Sequence, residues 1–288
     1  MTNFKILDSE VLERDDGAGI LFEDFGGEGE NLLFVHATGF SARMYLPIAT
    51  QLTDKFHCWG MNARHHGGST GGREPDHNWN LLGTDILALI DHIGSQPWHG
   101  FGHSYGGAGL LLAEQLRPGT FTSLFLYEPV VTIEGRSEHP ERDSQLSVLT
   151  RKRRQSFPTM AEAAANFAAK PPMSSFDPSV LDLYLKTAIE QHADKSVHLV
   201  CPRETEAEIY AWARCHDAYS KMGTVTCPTL IVAGETSGHF SLDHFERLAD
   251  GCAAATVQCA MGLGHFGPFD EPGAVAALVR DFASDLHH

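Results

Sequence analysis

The sequence has little positive charge for its length. Its 288 residues include 21 Lys and Arg against 37 Asp and Glu, which gives a formal net charge of −16. Nucleic acids and anionic membranes both attract basic surfaces, so neither is expected as a partner. The one basic run, RKRR at residues 151–154, is predicted to be a solvated helix face and not a binding patch.

Cysteines are few and long apolar runs are missing. No two cysteines form a C-x-x-C pair, which excludes the usual zinc and thiol redox motifs. The acidic N-terminal segment lacks the apolar stretch of a signal peptide, and no run is long enough to span a membrane. We therefore expect a reduced, cytoplasmic protein, monomer or homodimer, with a small molecule as its partner.

Predicted strands and helices alternate over most of the chain. Apolar runs at 31–37, 56–63 and 98–103 predict buried strands, and two more are predicted at 228–235 and 255–261. This alternation predicts an α/β fold, with a mostly parallel central sheet and helices on both faces.

The alternation of predicted strands and helices is interrupted in the middle of the chain. From residue 132 to residue 222 the sequence pattern predicts helices only, one of them beginning at a capping box formed by Thr159 and Glu162. Residues 1–131 and 223–288 are accordingly predicted to form the core. Residues 132–222 are predicted to be an inserted helical lid.

The stretch GFGHSYGG at residues 100–107 places a serine between glycines where a strand meets a helix. Gly102 to Gly106 fits G-x-S-x-G, in which a sharp turn presents the serine oxygen above the end of the strand. The following helix directs its first backbone N–H groups toward the same place. We predict that Ser104 is a catalytic nucleophile.

A serine hydroxyl needs a base to take its proton. The chain has 17 histidines, and His265 is distinguished by its glycine-rich loop, GLGHFGPFDEP, which follows the last predicted strand. A loop at that edge of the sheet can bring an imidazole over Ser104. Acyl transfer also needs donors for an oxyanion, and the backbone N–H groups of Thr38 and Tyr105 are the candidates.

These segments together resemble the α/β-hydrolase fold of serine hydrolases, over nearly the full length of the chain. FVHATGF at 34–40 is similar to the family's oxyanion segment, GHSYGG to its nucleophile elbow, and the His265 loop to its histidine loop. The lid that family members insert after the sixth strand corresponds to the predicted helical block.

The third catalytic residue departs from the commonest pattern of that family. Many members carry an Asp shortly after the seventh strand, where this chain has Ser237 in AGETSGHF. Other members take the acid from the end of the sixth strand, and Glu128 stands there. A carboxylate that ends an apolar strand needs a partner to offset its desolvation, which a catalytic imidazole supplies. Glu235 and Asp243 remain the alternative acids.

We expect hydrolysis of a carboxylic ester or lactone of a small to medium apolar substrate through an acyl-enzyme, without cofactor or metal. The same triad could instead hydrolyse a carbon–carbon bond or form a peracid, and a ligand-binding receptor with little turnover is the alternative from another class. His36 and His103 are predicted to brace turns. The large apolar side chains of the lid are predicted to be packing residues: Phe157, Phe167, Met173, Phe176, Tyr210 and Trp212.

Overall fold

The computed structural model describes residues 4–74, 76–94 and 97–286. The strands in these ranges are β1 Asp8–Glu13, β2 Gly19–Gly26, β3 Glu30–Val35, β4 Phe56–Met61, β5 Trp98–His103, β6 Ser123–Tyr127, β7 Ser156–Phe157, β8 Ile189–Gln191, β9 Val197–Leu199, β10 Thr229–Gly234 and β11 Ala255–Ala260. The α-helices are α1 Leu46–Ala49, α2 Asn80–Ile93, α3 Tyr105–Leu116, α4 Gln145–Arg151, α5 Met160–Ala168, α6 Pro178–Thr187, α7 Arg203–Ala211, α8 Leu242–Ala249, α9 Gly267–Asp270 and α10 Pro272–Asp285.

Eight strands form the main sheet, in the order β1-β2-β4-β3-β5-β6-β10-β11. The pairs β1–β2 and β2–β4 are antiparallel, whereas β4–β3, β3–β5, β5–β6, β6–β10 and β10–β11 are parallel. The carboxyl ends of the parallel strands therefore meet at one edge of the sheet, where open α/β folds bind ligands. The predicted fold class is confirmed.

Strand β3 shows why the sequences of the central strands are apolar at successive positions. Leu32 and Phe34 pack in the apolar cluster on one face of the sheet, which includes residues of α10. Leu33 and Val35 pack in the cluster on the opposite face, with α2 and α3. Because successive side chains point to opposite faces, a strand covered on both sides needs apolar residues at every position.

The segment between β6 and β10, here called the lid (residues 132–222), contains more than helices. The prediction of helices alone was wrong, because β7, β9 and β8 form an antiparallel sheet within it. Val197 and Leu199 are buried on either side of a half-buried His198. An alternation of three residues is too short to be distinguished from part of a helix.

The N-cap half of the predicted capping box is present in the lid. The Thr159 hydroxyl accepts a hydrogen bond from the Glu162 backbone N–H at 3.2 Å, and α5 begins at the next residue, Met160. Elsewhere, the lid contacts the main sheet beyond the carboxyl end of β3, where Tyr210 Oη donates to the Thr38 carbonyl at 3.5 Å.

Candidate active site

Ser104 occupies a sharp corner between β5 and α3. Its backbone has φ 55° and ψ −112°, a conformation that a residue with a side chain adopts only when its surroundings impose it. A β-carbon at Gly106 would overlap the Val35 carbonyl oxygen, and one at Gly107 would lie 2.8 Å from Pro129 Cβ. The glycines around Ser104 are therefore explained by backbone segments packed against the turn, and the serine oxygen is lifted to the sheet edge.

His265 lies in the loop between β11 and α9, with its ring beside Ser104. The Ser104 Oγ donates to His265 Nε2 at 3.2 Å, while His265 Nδ1 donates to Glu128 Oε2 at 2.7 Å. A carboxylate can only accept, so the Nδ1 nitrogen carries the proton and Nε2 is left as the base. The structure thus brings the predicted serine, histidine and glutamate into one hydrogen-bonded chain.

Glu128 follows the last residue of β6 and is fully buried. Its φ of 42° turns the side chain away from the strand direction and toward His265. Oε1 accepts from the Gly234 backbone N–H at 2.8 Å, and Oε2 accepts from the Ser237 hydroxyl at 2.8 Å as well as from His265. Three donors therefore satisfy the oxygens of this buried carboxylate.

The Ser237 hydroxyl is a contact that the sequence did not predict. Ser237, where the resemblance led us to look for an Asp, instead binds Glu128, which directly follows the neighbouring strand β6. Among the alternative acids, Glu235 accepts from the Gly262 N–H at 2.7 Å and Asp243 is exposed in the first turn of α8. The structure brings neither of these two carboxylates to His265 Nδ1, which is bonded to Glu128.

The loop of His265 is fixed by two side chains from the sheet. His103 Nε2 donates to the His265 carbonyl at 2.8 Å and Tyr127 Oη donates to the Gly264 carbonyl at 2.8 Å. The other ring nitrogen of His103 accepts from Tyr45 Oη at 2.8 Å. Burial lowers the pKa of His103 well below its usual value, so the ring is neutral and can accept that bond.

The predicted oxyanion loop, residues 36–40, is held by two further neutral histidines. His36 Nε2 accepts from the Ala63 N–H and His66 Nε2 accepts from the Gly39 N–H, each at 2.9 Å. Burial lowers the pKa of His36 to about 4 and that of His66 well below its usual value. Both rings therefore remain neutral and keep an acceptor nitrogen available at neutral pH.

The two predicted oxyanion donors have backbone amides that are free for a ligand. Within the residues that the structure describes, neither Thr38 N–H nor Tyr105 N–H donates a hydrogen bond to the protein. Tyr105 begins α3, so its amide lies at the positive end of that helix. Two such N–H groups can donate hydrogen bonds to the oxyanion of a tetrahedral intermediate and so stabilise its charge.

A sequence model described as the alpha/beta hydrolase family matches residues 32–278 of the chain. The chain belongs to this family. The match includes the lid together with Ser104, Glu128 and His265.

Individual relatives of this alpha/beta hydrolase are more distant. The abhydrolase domain-containing protein ACTT2-1 of Alternaria alternata is 27% identical over 224 residues, covering 65% of this chain and 83% of that protein. The N-formylmaleamate deformylase of Pseudomonas putida is 29% identical over 119 residues, covering 41% of this chain and 44% of the deformylase.

Solved structures agree with the fold. The crystal structure of E-2-(acetamidomethylene)succinate hydrolase has a TM-score of 0.79 at 20% identity and covers 96% of this chain and 100% of its own. A thioesterase domain from the curacin biosynthetic pathway has a TM-score of 0.75 at 19% identity, covering 96% and 99%. At these identities the likeness shows the shared fold.

A cavity of about 540 Å³ lies between the lid and the catalytic edge of the sheet. On the core side it is lined by Thr38 of the oxyanion loop, by Phe266, which follows His265, and by His239. The His239 ring stacks on the His265 ring with centroids 4.4 Å apart. Ser104, Glu128 and His265 are not among the residues that line the cavity, which adjoins them through His239 and through the loop of residues 36–40. From the sequence, a pocket role for His239 had no support beyond its position shortly after the strand predicted at 228–235.

The residues on the lid side of this cavity differ from two predictions, one about the basic run at 151–154 and one about the large apolar side chains of the lid. Lys152, Arg153 and Arg154 line the cavity, so the basic run is not simply a solvated helix face. The reason is that α4 ends at Arg151, so these three residues follow the helix and do not form one of its faces. Of the six lid side chains predicted to be packing residues, three line the cavity: Phe167, Met173 and Tyr210.

One cluster away from the triad has the donor types of a metal site. Donor atoms of His65, Asp76 and His77 lie within 4.8 Å of one another, in the glycine-rich loop after β4. His65 Nε2 already donates to Asp76 Oδ2 at 2.9 Å, so hydrogen bonding within the loop occupies that pair. Of the described helices, none combines the length and the apolar character that crossing a membrane requires.

Proposed function

We propose that this alpha/beta hydrolase is a serine hydrolase that works through an acyl-enzyme. The observation that supports it most is the continuous hydrogen-bonded chain from Ser104 Oγ through the His265 ring to the buried Glu128 carboxylate. A serine at a strained corner, a correctly oriented imidazole and a buried acid form the arrangement that activates a hydroxyl. The likeness in fold to hydrolases and a thioesterase domain is consistent with this reading.

In the proposed first step Ser104 Oγ attacks a carbonyl carbon while His265 Nε2 takes the hydroxyl proton. The carbonyl oxygen becomes an oxyanion, which the Thr38 and Tyr105 N–H groups stabilise. His265 then gives the proton to the leaving group as the carbonyl re-forms, leaving an acyl-Ser104. In the second step His265 takes a proton from a water molecule, whose oxygen attacks the acyl carbon. The bond between that carbon and Ser104 Oγ then breaks, His265 returns the proton to Ser104 Oγ, and the acid is released.

Glu128 has an electrostatic and an orienting part in this proposal. Its carboxylate holds the proton on Nδ1, so that Nε2 faces Ser104, and it stabilises the imidazolium that forms in each step. Its bonds to Gly234 and Ser237 keep it in place without taking part in the proton transfer.

We propose a carboxylic ester or lactone as the substrate, of a size that fits a cavity of about 540 Å³. Amide substrates are the second candidate, because two similar proteins are named for N-acyl compounds, N-formylmaleamate and E-2-(acetamidomethylene)succinate. An ester and the anilide of the same acyl group should separate the candidates. If the substrate is an ester, the protein should hydrolyse p-nitrophenyl butyrate. Faster hydrolysis of the corresponding p-nitroanilide would favour an amide substrate.

A fluorophosphonate probe tests the nucleophile directly. We expect one covalent adduct per chain, on the peptide that carries Ser104, and no adduct on the Ser104→Ala variant. Intact-mass and peptide mass spectrometry give both readouts. Failure of the native protein to label, with circular dichroism showing it to be folded, would contradict the proposed function.

A further inference from the structure

The cavity beside the triad has a charge composition opposite to that of the chain. Its eighteen lining residues include four Lys or Arg, namely Lys152, Arg153, Arg154 and Lys170, and one acid, Glu206. At the average composition of the chain, eighteen residues would carry about one cation and about two acids. Basic residues are thus concentrated in the place where a substrate would bind.

The single acid of the lining is neutralised. Glu206 is buried, and its two carboxylate oxygens accept from the two terminal nitrogens of Arg153. This pair lies against the oxyanion loop, since a β-carbon at Gly39 would be 2.6 Å from Glu206 Oε1. With Arg153 and Glu206 compensating one another, Lys152, Arg154 and Lys170 leave the lid side of the cavity positively charged.

Those three cations are exposed, and Arg154 Nε donates to the uncharged Ser156 carbonyl at 2.9 Å. Arg154 stacks over the Phe157 ring at 4.3 Å, and its closest acid, Glu162, is 3.7 Å away and half exposed. Lys170 Nζ donates to the neutral Asn166 amide oxygen at 2.8 Å. Solvent screens a contact such as Arg154–Glu162, so it removes little of the local potential.

The geometry points to a substrate with two different ends. The core side of the cavity holds Thr38 and His239 next to the triad, whereas the cations line the lid side. A molecule with its reactive carbonyl at the first end would extend its other end toward positive charge. Resting on the proposed function, we propose that the natural substrate carries a carboxylate away from its scissile bond, recognised by the cations of the lid.

The net charge of the chain explains why an anionic substrate would need these cations. A chain with a net charge of −16 repels an anion at long range, so an anionic substrate needs local positive charge along its path. A cleft between two layers of protein strengthens that local field because its walls have a low dielectric constant. A neutral ester would gain nothing from the cations.

Lys152 and Lys170 also lie just beyond the C-terminal ends of α4 and α5, where cations stabilise a helix dipole. A purely helix-stabilising role would lower thermal stability on substitution without changing the choice of substrate. The experiment therefore has to measure preference between charged and neutral substrates, together with the melting temperature.

The substrate pair is mono(p-nitrophenyl) adipate, which carries a free carboxylate, and p-nitrophenyl heptanoate, which is similar in length and uncharged. For the double variant Arg154→Gln, Lys170→Gln, the ratio of kcat/KM for adipate to kcat/KM for heptanoate should fall about tenfold. Raising the salt concentration should lower the same ratio in the native protein. An unchanged ratio in the double variant would overturn the proposal.

A matched control removes the same amount of charge from another part of the lid. Lys186 and Lys195 are exposed lid residues outside the cavity, and the variant Lys186→Gln, Lys195→Gln should keep the native ratio. An equal fall in this control would show that net charge, and not the cavity, sets the preference. That result would also overturn the proposal.

A binding measurement separates this inference from the proposed function. Adipate should bind to the Ser104→Ala variant in calorimetry, and binding should weaken about tenfold when Arg154 and Lys170 are also replaced by Gln. Adipate binding without fluorophosphonate labelling of the native protein would retain the carboxylate site and reject the hydrolase. Labelling with no adipate binding and no preference for the charged ester would reject the carboxylate site alone.

Discussion

The core side and the lid side of the cavity are built from different interactions. On the core side, His36, His66 and His103 are buried and neutral, and each ring nitrogen is bonded to a fixed partner. On the lid side, long charged side chains reach the cavity from the ends of short helices. The core is therefore suited to holding reacting atoms in place, and the lid to attracting a substrate.

Several ion pairs connect segments of the lid at its surface. Arg151 and Arg142 both contact Glu208 of α7, at 2.6 and 3.0 Å, and Arg214 contacts Glu141 at 3.2 Å. Exposed pairs of this kind contribute roughly 0–1 kcal/mol each. Substitutions in these surface ion pairs should consequently have small effects on stability, whereas changes in the buried network of the core should have large ones.

The largest effect on kcat is expected from substitution of Glu128. In Glu128→Gln, the amide can present a donor to His265 Nδ1, which favours the tautomer with the proton on Nε2. We expect kcat on p-nitrophenyl butyrate to fall by about 10³- to 10⁴-fold, with the fold retained. Glu235→Gln is the matched control, and its kcat should stay within about twofold of the native value.

A near-native rate for Glu128→Gln would show that this carboxylate is not the catalytic acid. The Ser237 hydroxyl lies 2.8 Å from Glu128 Oε2, so Ser237→Asp in the Glu128→Gln background offers a second carboxylate in the same place. Recovery of at least about tenfold in kcat is expected if the imidazole needs a carboxylate and not a particular residue.

The next effect concerns a positioning residue. His103→Phe removes the donor to the His265 carbonyl and the acceptor for Tyr45 Oη while keeping an aromatic ring in the site. We expect kcat to fall by about tenfold to a hundredfold with KM nearly unchanged, because the catalytic loop shifts. His103→Gln can restore the donor and should recover part of kcat, and equal losses in the two variants would argue against a role in positioning.

The third effect is on stability as a function of pH. Burial lowers the pKa of His36 from 6.5 to about 4, so between these values the unfolded chain binds a proton that the folded chain excludes. The free energy of unfolding should fall by about 1.4 kcal/mol per pH unit for this group as the pH drops from 6.5 to 4. Urea unfolding at several pH values measures the slope.

The variant His36→Gln isolates that contribution. The amide oxygen of this Gln can accept from Ala63 N–H but does not titrate. The pH dependence of the free energy of unfolding should therefore become shallower by about 1.4 kcal/mol per pH unit. The other buried histidines still contribute to the remaining slope. His139 is exposed, and His139→Gln is the matched control for the same substitution away from the core. Identical slopes in the native protein and in His36→Gln would mean that His36 is already protonated in the folded state near pH 6.

The same contrast explains what the sequence could predict. The core strands are continuous apolar runs, and G-x-S-x-G lies between a strand and a helix, so local pattern was enough for the fold and for Ser104. The choice among Glu128, Glu235 and Asp243 depended on which strand end faces a loop 137 residues further along the chain. No local pattern contains that information.

The lid was predicted less well for a physical reason. Strands β7 to β9 have two or three residues each, and their register comes from pairing with one another. The direction in which Lys152 to Arg154 turn after α4 likewise depends on Glu206, which binds Arg153 across the lid. Tertiary contacts decide both features, and periodicity over so few residues does not.

The smallest expected effect is a helix cap in the lid. Thr159→Ala removes the hydroxyl that accepts from Glu162 N–H at the start of α5 and should lower the free energy of unfolding by about 1 kcal/mol. Because the triad is held by core residues, kcat on p-nitrophenyl butyrate should remain within about twofold. Since α5 contributes Asn166 and Phe167 to the cavity, a change in KM alone would place its influence on substrate binding. A large fall in kcat would instead show that the lid also orients the catalytic residues, and the division between the two regions would be wrong.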